Sequence, residues 1–302
     1  MVLRYLLSQW LGTFARDTVR ESVVKAAREA AANAASDADC DTEDLESPPC
    51  HVGVVFASGA EAGGFQDRLT NVVTVRSSAV AVHRGMLGAQ RVAVVQSGTG
   101  AEAVAGATLA LIAAHQPNWV IAAGFATGLV DAVNKHDLLM VDSVIHEDGR
   151  RLSLELKIDP DALATAPGVH AGGLLTASAP VREPEARRVL GRTHEAMAVD
   201  GETFAVAEVC RSRKTRLLGV RIIRATVEEQ LPDELERLGR QKTTAGKLGA
   251  VVGSVMNRPG SVKDMLQIKE DDLVASDRLG VFLESIVGQL ATPQPENEDS
   301  AN

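Results

Sequence analysis

Short β-branched apolar runs, each closed by glycine or a polar residue, recur along the chain: Val52–Phe56, Arg91–Val95, Trp119–Ala123, Leu138–Val141, Gly173–Thr176 and Leu217–Ile223. Runs of this length and composition predict buried strands. Between them, Ala101–His115 and Glu202–Arg213 carry apolar positions at helical spacing, and Leu273–Leu290 reads as a closing amphipathic helix. Strand–helix alternation predicts an α/β fold: a single three-layer domain with a mostly parallel or mixed central sheet.

The pattern differs ahead of this body. Leu3, Leu6, Leu7, Trp10, Leu11 and Phe14 recur at three- and four-residue spacing, and an alanine-rich stretch follows. They predict an N-terminal helical extension. Its apolar face suits docking on the protein's own body or on a second copy; a membrane surface is the competing reading, with only Arg4, Arg16 and Arg20 to supply positive charge. Ser36 to Pro49 holds six acids and ends in proline, the composition of a solvated linker. The expected organisation is therefore residues 1–49 as extension and linker, 50–291 as the domain, and 292–302 as a disordered tail. The segment 246–265 fits none of these elements.

Composition narrows the function classes. The 302 residues carry 31 basic and 40 acidic side chains, a net charge of −9, which argues against a nucleic-acid partner. Cys40, Cys50 and Cys210 are far apart with no C-x-x-C spacing, and the seven histidines show no metal-ligand spacing. No metal is expected. No apolar run approaches the ~18 residues of a membrane span, and no signal peptide is recognisable, so a cytoplasmic protein is expected. Ser97-Gly-Thr-Gly with Ala103 imitates a dinucleotide fingerprint, but the next strand ends without the acid that would hold a ribose. No cofactor is expected.

In open α/β sheets ligands bind at the carboxyl ends of strands. The loops there are Ala57-Ser58-Gly59-Ala60-Glu61, Gln96-Ser97-Gly98-Thr99-Gly100, Gly124-Phe125-Ala126-Thr127-Gly128-Leu129 and Arg224-Ala225-Thr226-Val227-Glu228-Glu229, with Val199-Asp200-Gly201-Glu202 opening a helix. In this order they resemble the purine nucleoside phosphorylase and uridine phosphorylase superfamily, and within it the methylthioadenosine/S-adenosylhomocysteine nucleosidases. The resemblance covers roughly residues 51–228.

It implies roles residue by residue. Glu61 falls on the carboxylate that activates the attacking water, and Ser97 and Gly98 fall beside the ribose and water site. Glu202 falls on the glutamate that takes the ribose hydroxyls, with Asp200 and Gly201 beside it. Glu228 falls where the family has an aspartate acting on the purine N7, with Glu229 as the alternative. Phe125 replaces the family's serine and makes that wall bulkier, and Val181 or Arg182 stands where an aromatic stacks on the base. A homo-oligomer is implied as well.

Carboxylates suit this chemistry. Breaking an N-glycosidic bond leaves cationic charge on the sugar and negative charge on the base, so an anion and a proton donor are both needed. Neither the first loop nor Ala122 offers an arginine to seat phosphate, which favours hydrolysis over phosphorolysis. The expected function is hydrolysis of a small-molecule purine nucleoside without metal. Glu228, Phe125 and Gly201 depart from the family pattern and leave open a weak or inactive nucleoside-binding member; phosphorolysis is the third reading.

Overall fold

The computed structural model describes residues 49–76, 80–154, 163, 166–229 and 260–290, with side chains in the last segment from 269 onward. The extension and linker, the tail and residues 246–259 lie outside the described residues. The described residues belong to one compact unit.

Ten strands form one mixed sheet: β1 (Val52–Phe56), β2 (Thr70–Arg76), β3 (Ala81–Leu87), β4 (Gln90–Gln96), β5 (Trp119–Gly128), β6 (Leu138–His146), β7 (Arg151–Ser153), β8 (Val169–Thr176), β9 (Ala198–Asp200) and β10 (Arg216–Ala225). The order runs β10-β6-β8-β9-β5-β1-β4-β3-β2, and β10 pairs with β5 as well as β6. Strands β5, β10, β6, β8 and β9 therefore close on themselves, and β1, β4, β3 and β2 extend from β5 as an open wing. β1–β4, β1–β5, β5–β10, β6–β8 and β8–β9 are parallel, and the remaining pairings are antiparallel.

Helices cover both faces, as the alternation predicts. On one side Val52, Val54 and Phe56 pack with α1 (Gly59–Gln66) and α5 (Gly260–Leu290) through Phe65, Leu279 and Leu283. On the other, Val55 and Val120 pack with α2 (Ala101–His115) and α4 (Thr203–Arg213). Cys210 sits in this second layer, and burial pushes its thiol up to about 12, as befits a core residue. The remaining helix, α3 (Pro184–His194), starts with Pro184 in its first turn and follows β8.

Close approach of α1 and α5 depends on glycine. A Cβ on Gly64 would run into the backbone carbonyl of Ser276, and one on Gly280 into the carbonyl of Gly64. Ser276 ties the pair further: its Oγ accepts from the Gly64 amide at 2.9 Å and donates to the Glu61 carbonyl at 3.2 Å. Gly64→Ala is expected to lower stability by about 1–3 kcal/mol through overpacking. Gly63→Ala, whose Cβ would meet nothing nearer than 3.9 Å, should be neutral or slightly stabilising, because alanine is the better helix former. Paired thermal melts of the two variants check this.

Candidate active site

The site is assembled at the carboxyl ends of β1, β4, β5, β9 and β10. Glu61 reaches it by a local device. Ser58 and Glu61 form a capping box: the Ser58 amide and hydroxyl both donate to Glu61 Oε2, at 2.8 and 3.1 Å. The other oxygen, Oε1, accepts from the amide of Phe125 at 2.9 Å. The capping box thus doubles as a bridge from the first loop to the third, with the carboxylate largely buried.

Gly124 makes room for that bridge. A Cβ there would lie 2.7 Å from Glu61 Oε1 and 2.9 Å from Nη1 of Arg221. Only a residue without a side chain allows the carboxylate and the guanidinium to approach the strand together.

Arg221 is the charged residue of the cluster that the sequence reading passes over. It interrupts the apolar strand β10, and its side chain is only 6% exposed. Its Nε and Nη2 donate to Asp200 Oδ2 at 3.1 and 2.8 Å, and Nη2 also donates to the Thr203 hydroxyl. Asp200 further accepts from the Thr203 amide and hydroxyl, and from Thr176 Oγ1 at 2.8 Å. Five donors converge on this one carboxylate, which caps the first turn of α4. Four of these bonds go to Oδ2 and one to Oδ1, so Asp200 serves first as an anchor of the α4 N-terminus.

Glu202 stands two residues on, at the N-terminus of α4, and its Oε1 accepts from the Gly100 amide at 3.2 Å. That bond joins the α4 turn to the loop containing Ser97 and Gly98. Burial raises the proton affinity of Glu202, and the charges of Asp200 and Glu61 raise it further, while the Gly100 amide and Arg221 lower it. Glu61, Asp200, Glu202 and Arg221 form one electrostatic cluster.

The other expected residues divide. Gly201 has open space beside it: a Cβ would meet only the Ala177 carbonyl at 4.0 Å. Phe125 is half-buried, packed on the α1/α5 layer with Arg224 over its ring at 5.8 Å, while its amide serves Glu61. Ser97 turns its hydroxyl to the carbonyls of Phe56 and Gly98, at 3.2 and 2.7 Å. Glu228 does not join the cluster. Its side chain is 67% exposed and ion-paired with Arg188 of α3, which also holds Asp131 at 3.1 Å. The correction has a plain cause: Arg188 draws the carboxylate outward. Glu229, its neighbour, accepts from the Thr226 amide and hydroxyl and lies 3.8 Å from Lys135.

Nε and Nη2 of Arg221 serve Asp200 and Thr203. Among the described residues no group of His, Cys, Asp and Glu is arranged to hold a metal ion, and no helix is long and apolar enough to cross a membrane.

The mixed sheet with helices on both faces and carboxylates gathered at its strand ends defines the class: an α/β protein of the three-layer type. Residues 51–254 match the model of the phosphorylase superfamily, and the chain belongs to that family. It is 26% identical over 180 residues to a 5′-methylthioadenosine/S-adenosylhomocysteine nucleosidase of Staphylococcus haemolyticus, covering 53% of this chain and 79% of that protein. A nucleosidase of the same name from Shewanella loihica is 24% identical over 207 residues, covering 61% and 90%. The crystal structure of the Campylobacter jejuni nucleosidase shares the fold, with a TM-score of 0.61 at 12% identity over 80% of this chain and 99% of that one.

Proposed function

We propose that the protein hydrolyses the N-glycosidic bond of a purine nucleoside of the methylthioadenosine or S-adenosylhomocysteine type. The observation that carries this reading is that Glu61 and Glu202 are each tied to the amide of a strand-end loop, Glu61 to Phe125 after β5 and Glu202 to Gly100 after β4. An ionised carboxylate has about four acceptor sites. Ser58 and Phe125 fill three on Glu61, and the one left belongs to Oε1. A water held there is oriented and can lose its proton to the carboxylate.

In the reaction the C1′–N9 bond breaks and its electron pair goes to the purine, which takes up a proton from solvent, to which Glu61 later returns the one it gains. The water oxygen bonds to C1′, and its proton passes to Glu61. Glu202, accepting from the ribose hydroxyls, places negative charge beside the cationic sugar. The relatives' names support the substrate class. The commitment of Arg221 to Asp200 and Thr203 supports water over phosphate as the nucleophile.

The test is to incubate the pure protein with methylthioadenosine and S-adenosylhomocysteine, with and without phosphate, and to measure adenine and the sugar product. Adenine with an unphosphorylated sugar is expected in both conditions. A sugar 1-phosphate would make the protein a phosphorylase, and no release in either condition would reject catalysis. A second reading, nucleoside binding without turnover, is favoured by the outward Glu228. Calorimetric binding of intact nucleoside with no adenine released would establish it.

A further inference from the structure

Arg187 of α3 has no part in the carboxylate cluster, yet among the described residues it is the largest side chain that is fully enclosed, at 0% exposure. Its Nε donates to the Val181 carbonyl at 2.8 Å and its Nη2 to the Arg182 carbonyl at 2.7 Å. Nη1 donates to the carbonyls of Thr226, Val227 and Glu229, at 2.9, 3.2 and 2.7 Å. All five acceptors are main-chain carbonyls. Two belong to the loop after β8 and three to the loop after β10.

Enclosing a guanidinium among neutral acceptors is costly, because desolvation is offset by dipoles alone. Burial pulls its proton affinity down, and only the more distant charges of Glu229 and Glu183 act the other way. A leucine or methionine could fill the same space without that cost. What an apolar side chain cannot do is hold two loops at a set separation.

Both loops lie where that separation matters. The loop after β8 abuts the sugar-anchoring turn: the Ala177 amide donates to the Asp200 carbonyl at 2.9 Å, and the Ala177 carbonyl faces Gly201. The loop after β10 continues the strand that carries Arg221 and leads into Glu228. On the proposed reaction, with Glu61 and Glu202 at the sugar, these two loops would flank the departing base.

We propose that Arg187 is a positioning residue that sets the leaving-group end of the site by tying the loop after β8 to the loop after β10. It acts on the base and not on the sugar. The inference rests on the proposed nucleosidase activity, and the two can fail separately.

The experiment compares two substrates in wild type, Arg187→Lys and Arg187→Gln. One is methylthioadenosine, whose base must be positioned and protonated to leave. The other is 4-nitrophenyl riboside, whose leaving group departs as a stable anion. Each variant should lower adenine release at least ~100-fold, the scale of a small misplacement, and change nitrophenol release by less than about threefold. Equal losses on both substrates, or no loss on either, would overturn the proposal while leaving the activity intact. No release of adenine by wild type would overturn both. Hydrogen exchange on the wild type guards against variants that do not fold: amides of 181–182 and 226–229 should exchange slowly, and fast exchange would sink the clamp.

Discussion

Glu61→Gln is expected to lower adenine release by roughly 10²–10⁴-fold, the usual span for loss of a general base. A carboxylate here accepts from three donors on two loops. A carboxamide can place its oxygen toward Ser58 or toward Phe125, and its NH₂ then confronts an N–H on the other side. One of the bonds at 2.8 and 2.9 Å is lost whichever way it turns, which costs about 1–3 kcal/mol where the donor is buried. The chemical loss and the structural loss separate in measurement. Calorimetric melting gives the second, and turnover at saturating substrate, well below the melting temperature, gives the first. Turnover within tenfold of wild type would remove Glu61 from the role of base.

The second large effect concerns Arg221. Arg221→Met leaves Asp200, 2% exposed in its side chain, without its countercharge, and breaking a buried pair from one side costs about 3–5 kcal/mol. Chemical denaturation should show a lower midpoint with an unchanged slope. Asp200→Asn in the same chain should recover part of the loss, because the uncompensated charge disappears with it. The variant also carries a pH signature. Arg221 is one of two groups that hold down the proton affinity of Glu202, against burial and the charges of Asp200 and Glu61. Removing it favours the protonated form, so the acid side of the rate profile should move to higher pH. An unchanged profile in a folded variant would mean that ionised Glu202 is not required.

Particular residues show how far the sequence could be read. Val52–Phe56 and Ala101–His115 take the predicted forms with the same bounds. Their apolar positions follow the period of the element, and burial enforces that period. Helix α1 escapes because Gly63 and Gly64 argue against a helix; the signal that announces it is the Ser58–Glu61 capping box. The β2–β3 hairpin mixes polar with apolar residues and lies at the end of the sheet, where nothing imposes a clean alternation. Short β9, of three residues, exists through its neighbours β5 and β8.

Charge partners are harder to read than elements. Glu61 and Glu202 stand out in the sequence only through the family resemblance of their loops; taken alone, each reads as a solvated surface acid. Arg221 meets Asp200 from another strand, Arg187 collects carbonyls up to 42 residues away, and Arg188 claims Glu228 across 40. None of these pairings leaves a mark in the local pattern; only the tertiary fold sets them.

Because β10 pairs on both sides, β5, β10, β6, β8 and β9 form a hoop with no free end. Backbone ladders fix its girth, so Gly124, Asp200 and Arg221 keep their mutual spacing whatever the neighbouring loops do. Changes of length in the loops after β8 and β10 then alter the surroundings of these residues without altering the hoop that spaces them.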